Sequence, residues 1–185
     1  FTVREAAAVY GYDCIRMFIL MSHYRSPLNY SGEILMQAKA ALERLTTAKE
    51  NLDFFCQNGA DGNMTGKEAE TLRSLGAYRQ KFCDAMDDDF NTADAISAIF
   101  ELVREINSAV SPNAHPTKAL AEGCRALYLE LSDVLGIPFT EKEDTLTEEQ
   151  EALFNARKDA RKAKNWAESD RIRDELKAQG ILVED

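Results

Sequence analysis

The sequence predicts a mainly α-helical protein, an antiparallel helical bundle followed by a small mixed α/β domain. Apolar residues recur three and four positions apart in several long segments, which is the pattern of amphipathic helices. Three Thr-x-x-Glu/Gln sequences, beginning at Thr2, Thr65 and Thr147, have the form of capping boxes that start helices. The loops between the long segments are short, which favours antiparallel packing of neighbouring helices.

Composition agrees with this prediction and excludes several classes of protein. The 185 residues are 45% hydrophobic and 29% charged, which suits a globular chain with a real core rather than a disordered one. No run approaches the roughly 20 apolar residues that cross a bilayer, and the N-terminus lacks the pattern of a signal peptide. We therefore expect a cytoplasmic protein. The first residue is Phe1 rather than Met, so we expect a piece of a longer protein.

Six helices are predicted before residue 137. Gly11 ends the first helix, Pro27 breaks the second, and Ser31 caps the longest. Ile19 in the second helix and Val134 in the last are expected to belong to the inward stripes. The predicted ranges are about 2–10, 12–26, 31–56, 65–86, 93–110 and 118–135.

Two features stand out by their charge, one within the fourth predicted helix and one directly after it. Arg79 is the one polar member of an apolar stripe, so it marks either the end of the core or a pairing site. Asp87, Asp88 and Asp89 could share a hard cation, but they lack the spacing of a calcium loop. We interpret them as the start of the next helix, whose positive end each carboxylate stabilises by about 0.3–1 kcal/mol.

Catalytic and metal-binding motifs are missing from the sequence. The four cysteines lie far apart, in different predicted helices, and neither histidine lies near them in the sequence. This spacing predicts free, buried thiols in a reducing compartment and no metal site. Nucleotide-binding, hydrolase and metalloprotease motifs are absent as well. The residues concerned are Cys14, Cys56, Cys83, Cys124, His23 and His115.

A polar segment over residues 137–145 predicts a domain boundary. Beyond it we expect a helix from Thr147 to about Lys164 and a second helix from Trp166 that Gly180 ends. Residues 181–183 (Ile-Leu-Val) then have the composition of a β-strand, whose partners are not visible in this chain.

The same C-terminal stretch combines the single Trp of the chain with a local excess of positive charge. Residues 155–180 contain 8 basic and 5 acidic side chains, whereas the whole chain has a net charge of −10. Single-stranded bases can stack on an exposed indole such as Trp166 while Lys and Arg bind phosphates. Asp170 lies one helical turn after Trp166, and Arg161 lies just before the turn between the helices. Two alternatives stay open: a solvated hairpin whose turn Trp166 plugs, or a helical-bundle protein whose basic hairpin docks an acidic protein.

Three stretches resemble one family, the cysteinyl-tRNA synthetases, which are class I aminoacyl-tRNA synthetases. The first is similar to the segment with a D-x-[LIV]-R motif and a Ser/Ala-His-Tyr-Arg-Ser-Pro-Leu-Asn run. The second resembles the helical-bundle signature of the family, and the third its anticodon-binding tail. They read YDCIRMFILMSHYRSPLNYS (12–31), FCDAMDDDFNTADAISAIFELVREIN (82–107) and ARKDARKAKNWAESDRIRDEL (156–176).

The resemblance implies a C-terminal part of an enzyme that activates cysteine with ATP and transfers it to tRNA. The H-I-G-H and K-M-S-K-S motifs of its catalytic domain, and plausible ligands for its zinc ion, do not occur here. The resemblance therefore implies no catalytic residue, cofactor or metal in this chain, with ATP and zinc bound only by the catalytic domain. The implied domains are a remnant of the stem-contact region (1–28), the helical bundle (29–140) and an anticodon-binding domain that lacks its last strands (141–185).

The implied partner is tRNA(Cys), without DNA or a membrane, bound by a monomer. Carried over to matching positions, four residues would contact its GCA anticodon, and their basic neighbours are candidate contacts to the tRNA backbone. Asn165 stands where the family commonly has Asp. The anticodon residues are Arg161, Trp166, Asp170 and Asp185, and the candidate backbone contacts are Arg157, Lys158, Lys162 and Lys164.

Overall fold

The computed structural model describes residues 2–137, 139, 148–162 and 165–178, and these residues are mainly α-helical, as predicted. A 3₁₀ turn at Pro112–Ala114 lies between the fifth and sixth α-helices. Among these residues no helix is long and apolar enough to cross a membrane. The α-helices are α1 (Val3–Tyr10), α2 (Tyr12–Leu20), α3 (Gly32–Asn58), α4 (Gly66–Asp87), α5 (Thr92–Ala109), α6 (Lys118–Val134), α7 (Glu148–Lys162) and α8 (Trp166–Ala178).

The chain divides into two compact units, residues 1–140 and 141–185. The first unit contains α1 to α6, and the second contains α7 and α8. The predicted cap at Thr147, the helix end at Gly180 and the strand at 181–183 lie outside the described residues.

The core of the first unit is formed chiefly by α3, α5 and α6. The inward stripe of α3 contains Ala38, Ala41 and Ala48, whose short side chains let the neighbouring helices approach closely. Tyr128 on α6 is fully buried, and its hydroxyl donates a 2.8 Å hydrogen bond to the Leu45 carbonyl of α3. Burial raises the pKa of Tyr128, so the phenol stays protonated as a donor.

Side-chain caps fix the starts of the helices where the sequence predicts them. Thr2 and Thr65 each complete a capping box, and Ser31 accepts a hydrogen bond from the Ile34 amide. At the opposite ends, Gly11 and Gly136 adopt the positive φ angles of 83° and 57° that favour glycine.

Glu68 caps two helices at once. Its carboxylate accepts hydrogen bonds from the Thr65 amide at the start of α4 (2.7 Å) and from the Thr117 amide at the start of α6 (2.9 Å). These bonds, the one from Thr117 first, lower the pKa of Glu68. A bridge between Ala60 and Thr117 joins the same region to the end of α3. The loops at this end of the bundle are therefore held by backbone contacts as well as by the core.

Two positions expected in the inward stripes lie outside the core. Ile19 is 52% exposed, and α2 instead buries Cys14, Ile15, Met17 and Phe18. A helix of nine residues spans too few turns for its apolar pattern to define one face. Val134 is 61% exposed because it is the last residue of α6, where the chain turns.

The interpretation of Asp87–Asp89 as the start of α5 is wrong. Asp87 is the last residue of α4, and Asp88 follows it as the C-cap. Asn91 caps α5 instead, by accepting a 3.2 Å hydrogen bond from the Asp94 amide. An Asn three residues before an Asp is the stronger capping signal, because its side chain reaches the first-turn amides directly.

Asp89 joins two distant parts of the first unit. Its carboxylate accepts a 2.8 Å hydrogen bond from the Tyr24 hydroxyl and lies 3.0 Å from Nε of Arg25. The backbone of Asp89 and Phe90 has φ near 55°, a left-handed conformation. Arg79, the polar residue in the α4 stripe, proves to be a pairing site: its guanidinium lies 2.7 Å from the Glu130 carboxylate.

All four cysteines are free thiols, as predicted, but only Cys14 and Cys124 are buried, whereas Cys56 and Cys83 are partly exposed. Burial raises the pKa of Cys124 to about 12, and burial also raises the pKa values of Cys14 and Cys56. These thiols therefore stay protonated at neutral pH.

We expect Glu68→Ala to lower the free energy of unfolding by about 1–2 kcal/mol at about pH 7, because the starts of α4 and α6 both lose a cap. The pKa of Glu68 is lower in the folded protein, so its ionic contribution is present above the unfolded-state pKa and is lost as pH falls through the folded-state pKa. The difference in free energy of unfolding between Glu68→Ala and the parent, measured by urea unfolding, should therefore be smaller at about pH 3 than at about pH 7. Glu70→Ala, an exposed carboxylate on the same helix, is the control and should show no such loss.

We expect Tyr128→Phe to lower the free energy of unfolding by about 0.5–1.5 kcal/mol, the net contribution of one buried hydrogen bond. The ring remains and still fills its place in the core, so the loss reports the hydroxyl alone. Thermal unfolding checks this, and a variant as stable as the parent would contradict the assigned bond.

Candidate nucleic-acid interface

The candidate interface is built on the hairpin of α7 and α8, which contact each other. Three residues separate the two helices, and helices joined by so short a connection run antiparallel. The inward stripe of the hairpin consists of Arg157 on α7 and of Ser169, Ile172 and Leu176 on α8, all of them buried. All other positions of the hairpin are wholly or partly accessible wherever side chains are described.

Asn165 fixes where α8 begins. Its side-chain oxygen accepts a hydrogen bond from the Glu168 amide (3.4 Å), and its own amide donates to the Ala160 carbonyl of α7 (2.8 Å). Asn and Asp cap helices equally well, so either residue at this position can start α8. This role was not assigned to Asn165 from the sequence, although a capping residue directly before a predicted helix was the available signal.

Trp166 lies at the first position of α8 and is 58% exposed. Exposure of this size does not fit the alternative in which the indole plugs the turn. Asp170, one helical turn later, is also exposed, so the two side chains lie on the same side of α8 as predicted. The Asp170 carboxylate lies 3.1 Å from the Arg173 guanidinium, one turn further along α8.

The cations are distributed unevenly over the hairpin. Lys158 and Lys162 are exposed, and Lys162 lies 3.6 Å from the Asp159 carboxylate. Arg161 is partly buried and has contacts of its own. Arg157 is only 7% exposed, so a contact between it and a phosphate does not fit this placement. Lys164 and Asp185 lie outside the described residues.

The positive excess of the hairpin comes from the end of α7. On α8 the two arginines are paired with acids three positions earlier, Arg171 with Glu168 and Arg173 with Asp170. The last turn of α7 has Arg161 and Lys162. Cations at this end also interact favourably with the negative pole of the helix, by about 0.3–1 kcal/mol each. Part of this charge therefore stabilises the hairpin itself.

Helical geometry brings the chosen residues of both helices to one face. Lys158 and Arg161 each follow an inward or partly buried position of α7 by one residue, and Asp170 follows Ser169 on α8 in the same way. A step of one residue is a rotation of about 100° around a helix. When two antiparallel helices face each other, the residues that follow the inward positions by one therefore lie on the same side of the hairpin in both helices. Trp166, one turn before Asp170, joins that side.

Metal binding has no basis among the described residues, where no three His, Cys, Asp or Glu side chains are grouped so that they could hold an ion. The zinc that the resemblance implies does not fit any of these residues.

Comparison with known proteins agrees with the resemblance. Residues 81–140 match the family model of the DALR domain, and residues 143–185 match the model of the cysteinyl-tRNA ligase anticodon binding domain. Over its whole length the chain is 45% identical to a cysteine–tRNA ligase of Clostridioides difficile. The chain belongs to the cysteinyl-tRNA ligase family. The whole hairpin of α7 and α8 lies within the part matched by the anticodon-binding model.

Two further relatives of this family are similar over the whole chain. The cysteine–tRNA ligase of Symbiobacterium thermophilum is 45% identical, and that of Lachnospira eligens is 43% identical. In each of the three comparisons the chain spans 39% of the length of the relative.

We expect Ile172→Ala to destabilise the hairpin by about 2–5 kcal/mol, because Ile172 is one of its few buried apolar side chains. Hydrogen exchange of the α8 amides should accelerate, whereas exchange in α5 of the first unit should stay unchanged. Asp174→Ala, an exposed change two residues away, is the matched control. Equal exchange in both variants would contradict the assigned inward stripe.

Proposed function

We propose that this chain is the tRNA-recognition part of a cysteine–tRNA ligase and that its hairpin reads the GCA anticodon of tRNA(Cys). The observation that carries this proposal is the exposed indole of Trp166, which shares one face with cations of α7 and the carboxylate of Asp170. The family matches support tRNA as the partner, because the second unit corresponds to an anticodon-binding domain.

Each residue of the face suits one part of an anticodon. The indole of Trp166 stacks on an unpaired base, a contact that contributes about 1–3 kcal/mol per base. Asp170 accepts a hydrogen bond from a base amino group, such as that of cytosine. Arg161, Lys158 and Lys162 bind the phosphates between the bases. Asp185 is proposed to contact the same anticodon on the resemblance alone.

The whole protein is proposed to activate cysteine with ATP and to transfer it to the 3′ end of tRNA(Cys). ATP and zinc belong to the part of the relatives that this chain does not span, and we propose that the chain alone is catalytically inactive. Its contribution is to hold the tRNA by its anticodon end. We further propose that the protein works as a monomer in the cytoplasm.

Electrostatics restricts where the RNA can bind. The net charge of −10 means that most of the chain repels a polyanion, whereas the last turn of α7 offers the cations Arg161 and Lys162. The same charge favours the alternative of a basic hairpin that docks an acidic protein. Base-specific binding separates the two, because an acidic protein surface offers neither bases nor an anticodon.

Titration of the chain with tRNA(Cys) transcripts tests the proposal. We expect tighter binding to the GCA transcript than to one with a changed anticodon, and weaker binding of both as salt rises. Trp166→Ala should weaken binding to the GCA transcript by about 1–3 kcal/mol. Phe54→Ala, which removes a comparably exposed aromatic ring from the first unit, serves as the control and should bind as the parent does.

Equal and salt-insensitive binding of the two transcripts would overturn the proposed function. Unchanged binding by Trp166→Ala would overturn the stacking role of the indole. Co-purification with an acidic protein and no RNA would favour the alternative.

A further inference from the structure

We propose that Phe154 on α7 is a second base-stacking residue. The hairpin then also contacts a loop nucleotide next to the nucleotides that Trp166 and Asp170 contact. This inference rests on the proposed function and extends the RNA contact along α7. Its starting observation is that Phe154, a large apolar side chain in a small charged hairpin, is 40% exposed.

Phe154 lies on the flank that the other interface residues occupy. It follows Leu153, a partly buried position, by one residue, just as Lys158 follows the buried Arg157. Phe154 and Lys158 are also four positions apart and therefore stand one above the other on the helix. Because α7 and α8 are antiparallel, this flank of α7 and the flank with Trp166 and Asp170 share one side of the hairpin.

The two aromatic residues lie at opposite ends of this face. Lys162 at the end of α7 lies eight positions after Phe154, a rise of about 12 Å at 1.5 Å per residue. Trp166 lies just beyond that end. Stacked nucleotides advance by about 3.4 Å each, so the span corresponds to on the order of three to four nucleotides. A base on Phe154 therefore lies outside the group that contacts Trp166, in the adjoining single strand.

Two lysines lie along α7 between the rings of Phe154 and Trp166. Lys158 is one turn from Phe154 and Lys162 is two turns from it, and both ammonium groups are on exposed side chains. The chemistry that fits alternating aromatic rings and cations is single-stranded RNA, whose bases stack while its phosphates are neutralised. An acidic protein would also be attracted by the lysines, but it offers no nucleotide bases to stack on the ring, so the stem-loop experiments below separate the two.

Phe154→Leu tests the inference, because it keeps an apolar side chain and removes the ring. We expect the 185-residue chain with this change to bind an anticodon stem-loop of tRNA(Cys) about five- to tenfold more weakly, the lower end of a stacking contact since Phe154 is only partly exposed. Its salt dependence should be unchanged, because no cation is lost. Thermal unfolding confirms that the variant is folded.

Abasic stem-loops then locate the contact. Removing the base that lies on Phe154 should weaken binding to the parent chain and should cause no further loss in Phe154→Leu. If every abasic substitution affects the two chains equally, or if Phe154→Leu binds as the parent does, the inference is overturned.

Fluorescence provides an independent measurement. Trp166 is the only Trp of the chain, so the double variant Trp166→Phe/Phe154→Trp has its single indole at position 154. We expect saturating stem-loop to quench this indole, and an abasic site at the located nucleotide to abolish the quenching. Absence of quenching by the intact stem-loop would contradict the contact.

Failure of this inference is distinguishable from failure of the proposed function. If Trp166→Ala and the anticodon change weaken binding while Phe154→Leu does not, the function stands and the second stacking contact is wrong. If none of the three has an effect, both the function and the inference are wrong.

Discussion

Packing of α7 against α8 along one buried stripe is the constraint on which the candidate interface depends. Helices of 15 and 13 residues are marginal in isolation, so each is stable only while it packs against the other. The buried stripe contains Ile172 and Leu176 of α8 and Arg157 of α7. Once this stripe is buried, the rotation of each helix is set, and the directions of Trp166 and Lys158 follow from it.

Single polar side chains determine where these helices begin. Asn165 starts α8 and bonds back to α7, so the position of Trp166 depends on a cap rather than on the core. Glu68 has the corresponding role in the first unit, where its carboxylate accepts hydrogen bonds from amides at the starts of both α4 and α6. In both units a cap connects two helices, which sets their register as well as their ends.

The charges of the hairpin serve stability and recognition together. Acids pair with the arginines of α8, whereas the cations at the end of α7 interact with the negative pole of their helix. Binding of a polyanion there competes only with weak surface interactions, because exposed ion pairs contribute about 0–1 kcal/mol. An acidic chain can thus present one basic face without destabilising its fold.

The sequence by itself determined the helices, most of their ends and the relation of Trp166 to Asp170. These features depend on contacts within about four residues: the caps at Thr2, Ser31 and Thr65, the glycines that end helices, and the helical repeat. Family motifs added the position of the anticodon-binding part, which spacing alone does not supply.

Only the tertiary structure decided which charges and rings are accessible. Arg157 resembles its basic neighbours in sequence but is buried, and Asp89 contacts Tyr24 at a distance of 65 residues. Each depends on how one helix is rotated against another. That rotation is set by side chains far apart in the chain, so no local pattern records it.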